Sequence, residues 1–146
     1  TRIVSEPYFL AMHKNHEIVQ KPNCNIDDLH NIDFIMYDAI IGRYSFELLS
    51  SLFVNTGVKP NFVQYVSQPP VFLGLIKASV GVALLPESSK LLATDDIIFK
   101  DISLPSWVRS DVYLATSKNP KNHLIPEIYN TIFEAVHNKN IVSKLH

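Results

Sequence analysis

Hydrophobic and polar positions along the chain follow two alternating patterns. Short runs rich in β-branched and aromatic residues predict strands at residues 8–12, 33–37, 61–66, 81–85, 97–102 and 108–116. Apolar residues at helical spacing predict helices at residues 44–55, 71–79 and 125–137, with shorter helical turns after Asn25 and towards Leu92. This alternation predicts an α/β domain with a largely parallel sheet flanked by helices.

Particular residues mark where the predicted elements begin and end. Ser45 can cap the helix that follows the second strand, and Gly57 can end it in a left-handed conformation. The diproline at residues 69–70 suits the first turn of the next helix, because proline there gives up no hydrogen bond. The strand at residues 61–66 has apolar side chains on both sides, which predicts burial on both faces.

Composition and charge narrow the class of protein. The chain has 146 residues, of which 47% are hydrophobic and 18% charged, which is typical of one compact globular core. Lys and Arg number 13 against 14 Asp and Glu, without a dense basic stripe, so we do not expect this chain to bind DNA by itself. Its apolar runs are far shorter than the roughly 20 residues of a membrane span, and its single cysteine, Cys24, cannot form an internal disulfide. Both features favour a cytoplasmic protein.

Two segments of the chain carry a specific resemblance to a known family. They are residues 57–63 (GVKPNFV) and 75–88 (LIKASVGVALLPES), and around them residues 6–11, 16–18 and 26–29 follow in the matching order. Together they resemble the carboxyl-terminal portion of the effector-binding domain of LysR-type bacterial transcription regulators. The chain departs from that family's usual pattern at Glu17, where proline is common, and at Ser79 and Val80, where Ala-Gly is more frequent.

The resemblance implies a fold and a division of the chain. The fold is the periplasmic-binding-protein-like (type 2) pair of α/β subdomains, with a small-molecule effector between them. Residues 1–146 would be the carboxyl-terminal part of that domain, with the second subdomain and a crossover strand in 8–107 and the return strand and terminal helix in 108–146. The chain starts without a methionine, so we expect a fragment that lacks the winged helix-turn-helix and the first half of subdomain one.

The same resemblance implies how such a protein acts. A LysR-type regulator senses an effector, works as a dimer or tetramer, and reaches DNA only through its amino-terminal domain. We therefore expect a cytoplasmic homo-oligomer without cofactor or membrane contact. We also expect the apolar stripe of the helix at 125–137 to pair with another chain or stay exposed.

The first candidate effector site follows the strand that ends at residue 37. Here the sequence offers close backbone approach at a glycine, a guanidinium suited to a carboxylate, and two hydroxyl groups. The residues are Ile41, Gly42, Arg43, Tyr44 and Ser45. In family members that regulate aromatic catabolism, the corresponding loop lines the effector site. The alternative is that Arg43 only pairs with a surface acid.

The second candidate segment follows the strand that ends at residue 66. Ser67 and Gln68 stand just before the diproline, so their side chains and the following amides could hold a carboxylate or hydroxyl group. Helix capping by Ser67 explains the same residues equally well. Because ligands bind at the carboxyl ends of parallel strands, the hypothesis requires both segments to lie at one edge of the sheet.

The sequence gives little support for a catalytic or metal-binding function. His13, His16 and Cys24 lie in a proline-containing loop without the ligand spacing of a zinc site, and no nucleophile or phosphate-loop motif is present. We therefore expect no catalytic residues and no metal. Two other hypotheses stay open: a solute-binding protein of a transporter, which shares the architecture, and a small α/β enzyme.

Overall fold

The fold is a mixed α/β arrangement, described by a computed structural model for residues 2–115 and 124–144. Its helices are α1 (Arg43–Thr56), α2 (Pro69–Lys77) and α3 (Ile125–Lys144), with 3-10 turns at Glu17–Gln20, Ile26–Leu29 and Glu87–Leu92. Its strands are β1 (Arg2–His13), β2 (Asp33–Tyr37), β3 (Asn61–Val66), β4 (Ala83–Pro86), β5 (Ile97–Lys100) and β6 (Arg109–Tyr113). The chain divides into two compact units, one of residues 6–109 and one of residues 1–5 with 110–146.

In the larger unit, β1 is the central strand of a sheet ordered β4-β1-β5. It pairs antiparallel with both neighbours, as Leu10 opposite Leu84 and Met12 opposite Ile98 illustrate. This corrects the expectation of a largely parallel sheet. The paired residues are some 70 to 90 positions apart, and strand direction across such a distance leaves no mark on the local pattern of hydrophobic residues.

The strands β2 and β3 form a second, parallel pair. Their register runs from Asp33 opposite Asn61 to Tyr37 opposite Val66, with an irregularity after Phe34. The amide of Asp38 continues the pairing by donating to the carbonyl of Val66 at 2.9 Å. The carboxyl ends of β2 and β3 therefore lie at the same edge of the sheet, and the chain segments that follow them start side by side.

Most of the residues predicted to begin or end a helix do so in the structure. Gly57 ends α1 at a φ of 70°, in the left-handed region, as expected. The prediction that Ser45 caps this helix is wrong, because the cap position is Gly42 and Ser45 lies inside the first turn. The diproline occupies the first positions of α2, as the sequence predicts.

The paired strands β2 and β3 differ in how far their side chains are buried. The four residues of β2 after Asp33 are buried in the core, whereas most of β3 is exposed. The prediction that β3 is buried on both faces is therefore wrong. Within residues 6–109, β2 is the strand that pairs with β3, and the Phe62 ring leans edge-on against Phe34 while 38% of its surface stays exposed.

The smaller unit contains β6 and α3. Within this unit, Arg2 lies 4.0 Å from the carboxylate of Asp111. The part of the predicted strand at residue 116 lies outside the described residues. α3 runs further than the predicted end at residue 137. None of the helices described here is long and apolar enough to cross a membrane.

Candidate functional site

The two segments predicted to bind the effector meet at one edge of the sheet. Residues 38–45 follow β2 and residues 67–68 follow β3, and the Asp38 amide bonded to Val66 fixes their starting points next to each other. The geometric condition that the sequence hypothesis required is therefore met. A residue of these segments can contact a ligand only through groups that are not already bonded within the protein.

The loop before α1 is organised by one carboxylate. Oδ1 of Asp38 accepts the amides of Ile40 and Ile41, each at 2.9 Å. These bonds hold the pKa of the Asp38 carboxyl below its usual range, with the Ile41 amide contributing most and the Ile40 amide next. The turn leaves the side chains of Ile40 and Ile41 85% and 75% exposed. The edge thus presents apolar surface as well as polar groups.

Gly42 holds the start of α1 close to the end of β2. A Cβ atom at this position would lie 3.1 Å from the carbonyl oxygen of Asp38 and 3.3 Å from Cβ of Tyr37. The first bond within the helix is donated by the Phe46 amide to the Gly42 carbonyl. The amides of residues 43–45 precede that bond, so they belong to the helix N-terminus, where donors and the positive end of the dipole favour an anion.

Arg43 stands at this N-terminus but is engaged on the surface. Its Nε donates to Oε1 of Glu47 at 2.9 Å, one helical turn away, and the two side chains are 75% and 61% exposed. A pair this exposed to water contributes little to stability, so a ligand carboxylate can compete for the guanidinium. The surface-pair interpretation and the ligand role of Arg43 are therefore compatible.

The two hydroxyl groups predicted for the site have protein partners. Tyr44 donates its hydroxyl to the carbonyl of Arg109 at 2.9 Å, and Oγ of Ser45 lies 3.0 Å from the hydroxyl of Tyr8. Tyr8 belongs to β1 and precedes Ser45 by 37 residues in the sequence. The local spacing of residues around α1 could therefore not reveal this contact. Tyr8 and Glu47 are neighbours of the site that the sequence did not reveal, whereas Ile40 belongs to the loop predicted to line it.

The start of α2 contributes less than the sequence suggested. Pro69 and Pro70 carry no N–H group, and the amides of Val71 and Phe72 both donate to the carbonyl of Gln68. The expectation that amides after Gln68 hold a ligand is therefore wrong. What remains are Ser67 and the side chain of Gln68, which occupies the cap position without a capping bond within the described chain.

Comparison with known proteins gives a family and relatives. Residues 1–126 match the family described as the LysR substrate binding domain. The chain is 26% identical over 121 residues to the uncharacterized HTH-type transcriptional regulator YnfL of Escherichia coli (strain K12), covering 83% of this chain and 39% of that protein. It is also 26% identical over 125 residues to the HTH-type transcriptional regulator AlsR of Bacillus subtilis (strain 168), covering 83% and 40%. The chain thus spans about two fifths of the length of these relatives.

Solved structures agree in fold. The BenM effector binding domain with its effector benzoate matches with a TM-score of 0.78 at 20% identity, over 96% of this chain and 64% of that one. The CcmR regulatory domain of Synechocystis PCC6803 in complex with 2-PG matches with a TM-score of 0.76 at 18% identity, over 93% and 65%. These likenesses confirm the predicted periplasmic-binding-protein-like α/β fold class, apart from the strand directions corrected above, and the family match confirms the resemblance drawn from residues 57–63 and 75–88. Since the family match covers most of the chain, this protein belongs to the LysR substrate binding domain family.

Proposed function

We propose that this chain is the effector-sensing part of a LysR-type transcription regulator and that it binds a small carboxylate where β2 and β3 end. The observation that carries the proposal is the parallel register of Tyr37 with Val66, which brings both candidate segments to one edge. The family match supports a sensor over a transport protein or an enzyme. DNA binding, through an amino-terminal domain, and assembly into a dimer or tetramer belong to the same proposal.

The chemistry of the edge favours an anionic ligand with an apolar body. The amides at the start of α1 and the guanidinium of Arg43 supply positive potential, and Ser45 and Gln68 add polar groups. Ile40 and Ile41 supply exposed apolar surface beside them. An aromatic carboxylate combines both features, and benzoate is the effector of the similar BenM domain.

The proposal extends to the organisation and location of the protein. Residues 8–107 act as the second subdomain of the effector domain, and residues 108–146 supply its return strand and terminal helix. The regulator is cytoplasmic and carries out no catalysis. For the effector to change the regulator's behaviour, it must bind two arrangements of the protein with different affinity, because equal affinity shifts no equilibrium.

The test is calorimetric titration of the chain with benzoate. Arg43→Ala is expected to weaken binding by about 1.5 to 3 kcal/mol, the usual range for a hydrogen bond to a charged group. Lys59→Ala is the matched control, since Lys59 precedes the first residue of β3 and so lies at the opposite edge. Equal affinity of wild type and Arg43→Ala would remove Arg43 from the site.

A second variant separates a ligand contact from a general charge effect. Glu47→Gln removes the carboxylate that accepts from Nε of Arg43. If Arg43 binds the ligand, freeing it from this exposed pair should tighten benzoate binding slightly. Combining Glu47→Gln with Arg43→Ala should abolish that gain. A gain that persists without Arg43 contradicts direct contact.

A further inference from the structure

A cavity lies at the other edge of the sheet from the proposed effector site. It has a volume of about 360 Å³, within the usual range for small-ligand sites. Three segments enclose it: the end of β1 with the turn after it, the first residue of β2, and the turn between α2 and β4. The lining residues are His13, Asn15, His16, Glu17, Asp33, Ser79, Val80 and Gly81.

The two imidazole rings in this cavity are fixed as hydrogen-bond donors. Nδ1 of His13 accepts the Asn15 amide at 3.1 Å, and Nδ1 of His16 accepts the Ile18 amide at 3.2 Å. Because Nδ1 is the acceptor in each case, the neutral ring carries its proton on Nε2. Each half-buried ring therefore offers one N–H group from its remaining nitrogen.

The carboxylates of the cavity supply the complementary acceptors. Asp33 accepts one bond from the side-chain amide of Asn61, at 2.7 Å, and Glu17 lies in the first turn of the 3-10 helix that His16 caps. A carboxylate has about four acceptor positions, so Asp33 retains capacity for a ligand. Lys14, which follows His13 in the sequence, forms a salt bridge with Asp96, with 3.0 Å between Nζ and Oδ1.

The third wall is the turn that ends α2. Ser79 has a φ of 60°, in the left-handed region, and the amides of Ser79 and Val80 close the helix by donating to the carbonyls of Ile76 and Leu75. Gly81 approaches Asp33 so closely that a Cβ atom would lie 2.7 Å from the Asp33 carbonyl oxygen. Ser79, Val80 and Gly81 line the cavity together with the polar side chains of the other two segments. The wall is therefore fixed by the end of α2 and by backbone pairing of Val82 with β2.

We infer that this cavity is a second small-molecule site, which takes a neutral polyhydroxylated ligand such as a sugar or cyclitol. Imidazole N–H donors and carboxylate acceptors that line one cavity match the hydroxyl groups of a polyol, since each hydroxyl both donates and accepts. An anion would face two carboxylates, and a cation would leave the imidazole N–H groups unused. Among the described residues, no group of three or more His, Cys, Asp and Glu side chains could hold a metal ion. The inference is independent of the proposed effector site.

The experiment is an NMR titration of the isotope-labelled chain with D-glucose, D-ribose and myo-inositol, each in turn. We expect saturable shifts of the amides of residues 13–17 and 79–81 with at least one of them, and none with putrescine or inorganic phosphate. Absence of saturable binding by all three polyols overturns the inference. Binding of putrescine or phosphate at these amides in their place also overturns it.

Two variants locate the binding, and a third serves as control. His16→Asn keeps an oxygen that can cap the Ile18 amide but removes the imidazole N–H, and Glu17→Gln removes one carboxylate. Each is expected to weaken polyol binding by about threefold to tenfold, as loss of one hydrogen bond does. His30→Asn is the matched control, because Nδ1 of His30 also accepts a backbone amide, that of Lys59, outside the cavity. Equal losses in all three variants, or no loss in any, overturn the inference.

Discussion

Two glycines in neighbouring segments of the chain meet opposite steric surroundings. A Cβ atom at Gly81 would lie 2.7 Å from the backbone oxygen of Asp33, whereas a Cβ atom at Gly74, inside α2, would have nothing within 4 Å. Close packing around a glycine is therefore found at Gly81, in the turn before β4, and not at Gly74, inside α2. The difference predicts opposite effects of the same substitution.

Gly81→Ala should lower the free energy of unfolding by about 1 to 3 kcal/mol, because backbone must move to admit the methyl group. Gly74→Ala should raise it by about 0.5 to 1 kcal/mol, since alanine favours the helix over glycine. Urea denaturation of both variants measures the two changes. Equal stability of the two variants would contradict the close approach between Gly81 and Asp33.

Acid should loosen the turn before α1 through Asp38. The amides of Ile41 and Ile40 hold the pKa of this carboxyl below its usual range, so the native state favours the ionised form. Its contribution to stability is complete above the unfolded pKa of about 3.9 and is lost as pH falls through the lower folded value. Asp38→Asn retains an oxygen acceptor but does not titrate.

The stability difference between wild type and Asp38→Asn should therefore be constant from about pH 7 to 5 and change below about pH 4. Denaturation across that range, with a carbon-13 NMR titration of the Asp38 carboxyl, tests this. A titration midpoint at the ordinary aspartate value would show that the two amide bonds are absent in solution.

The stability of α1 depends on the face that it turns towards the hydrophobic core. Leu49 is fully buried on that face, whereas Val54 is 80% exposed on the same helix. Leu49→Ala should cost about 2 to 5 kcal/mol, because it removes methyl groups from the core and leaves a cavity. Val54→Ala should change stability by less than about 0.5 kcal/mol. Similar losses measured by denaturation would mean that α1 packs through another face.

Elements with a strong local pattern were predictable from the sequence. The bounds of β2 and β3 agree with the prediction, and α1 differs from its predicted 44–55 by one residue at each end. The direction of β1 and the exposure of β3 were not predictable, since both depend on which distant strands pair. At the site, sequence located the two segments but not the contacts of Ser45 with Tyr8 or of Arg43 with Glu47.

At the scale of the whole molecule, the terminal helix presents an apolar stripe. Leu124, directly before α3, and Ile128 and Ile132 within it follow one another at four-residue spacing and are 56%, 53% and 37% exposed. Residues four apart share a helix face, so they form one continuous surface. We predict that the chain self-associates through this stripe, because burying it removes apolar surface from water.

Sedimentation velocity measures this association. Wild type should form a dimer or larger assembly at high concentration, and the double variant Ile128→Glu with Ile132→Glu should be monomeric. Asn130→Glu adds charge on the opposite face of α3 and should behave as wild type. A wild-type chain that stays monomeric at high concentration would contradict the prediction.

The central claim is that a small carboxylate binds where the parallel strands β2 and β3 end. The most direct measurement is the map of amide shifts in the isotope-labelled chain on addition of benzoate. We predict saturable shifts concentrated in residues 40–45 and 67–68, and smaller shifts in Arg43→Ala at the same benzoate concentration. Saturable shifts concentrated at the opposite edge, around Asp33 and Asn61, or no saturable shift at all, would contradict it.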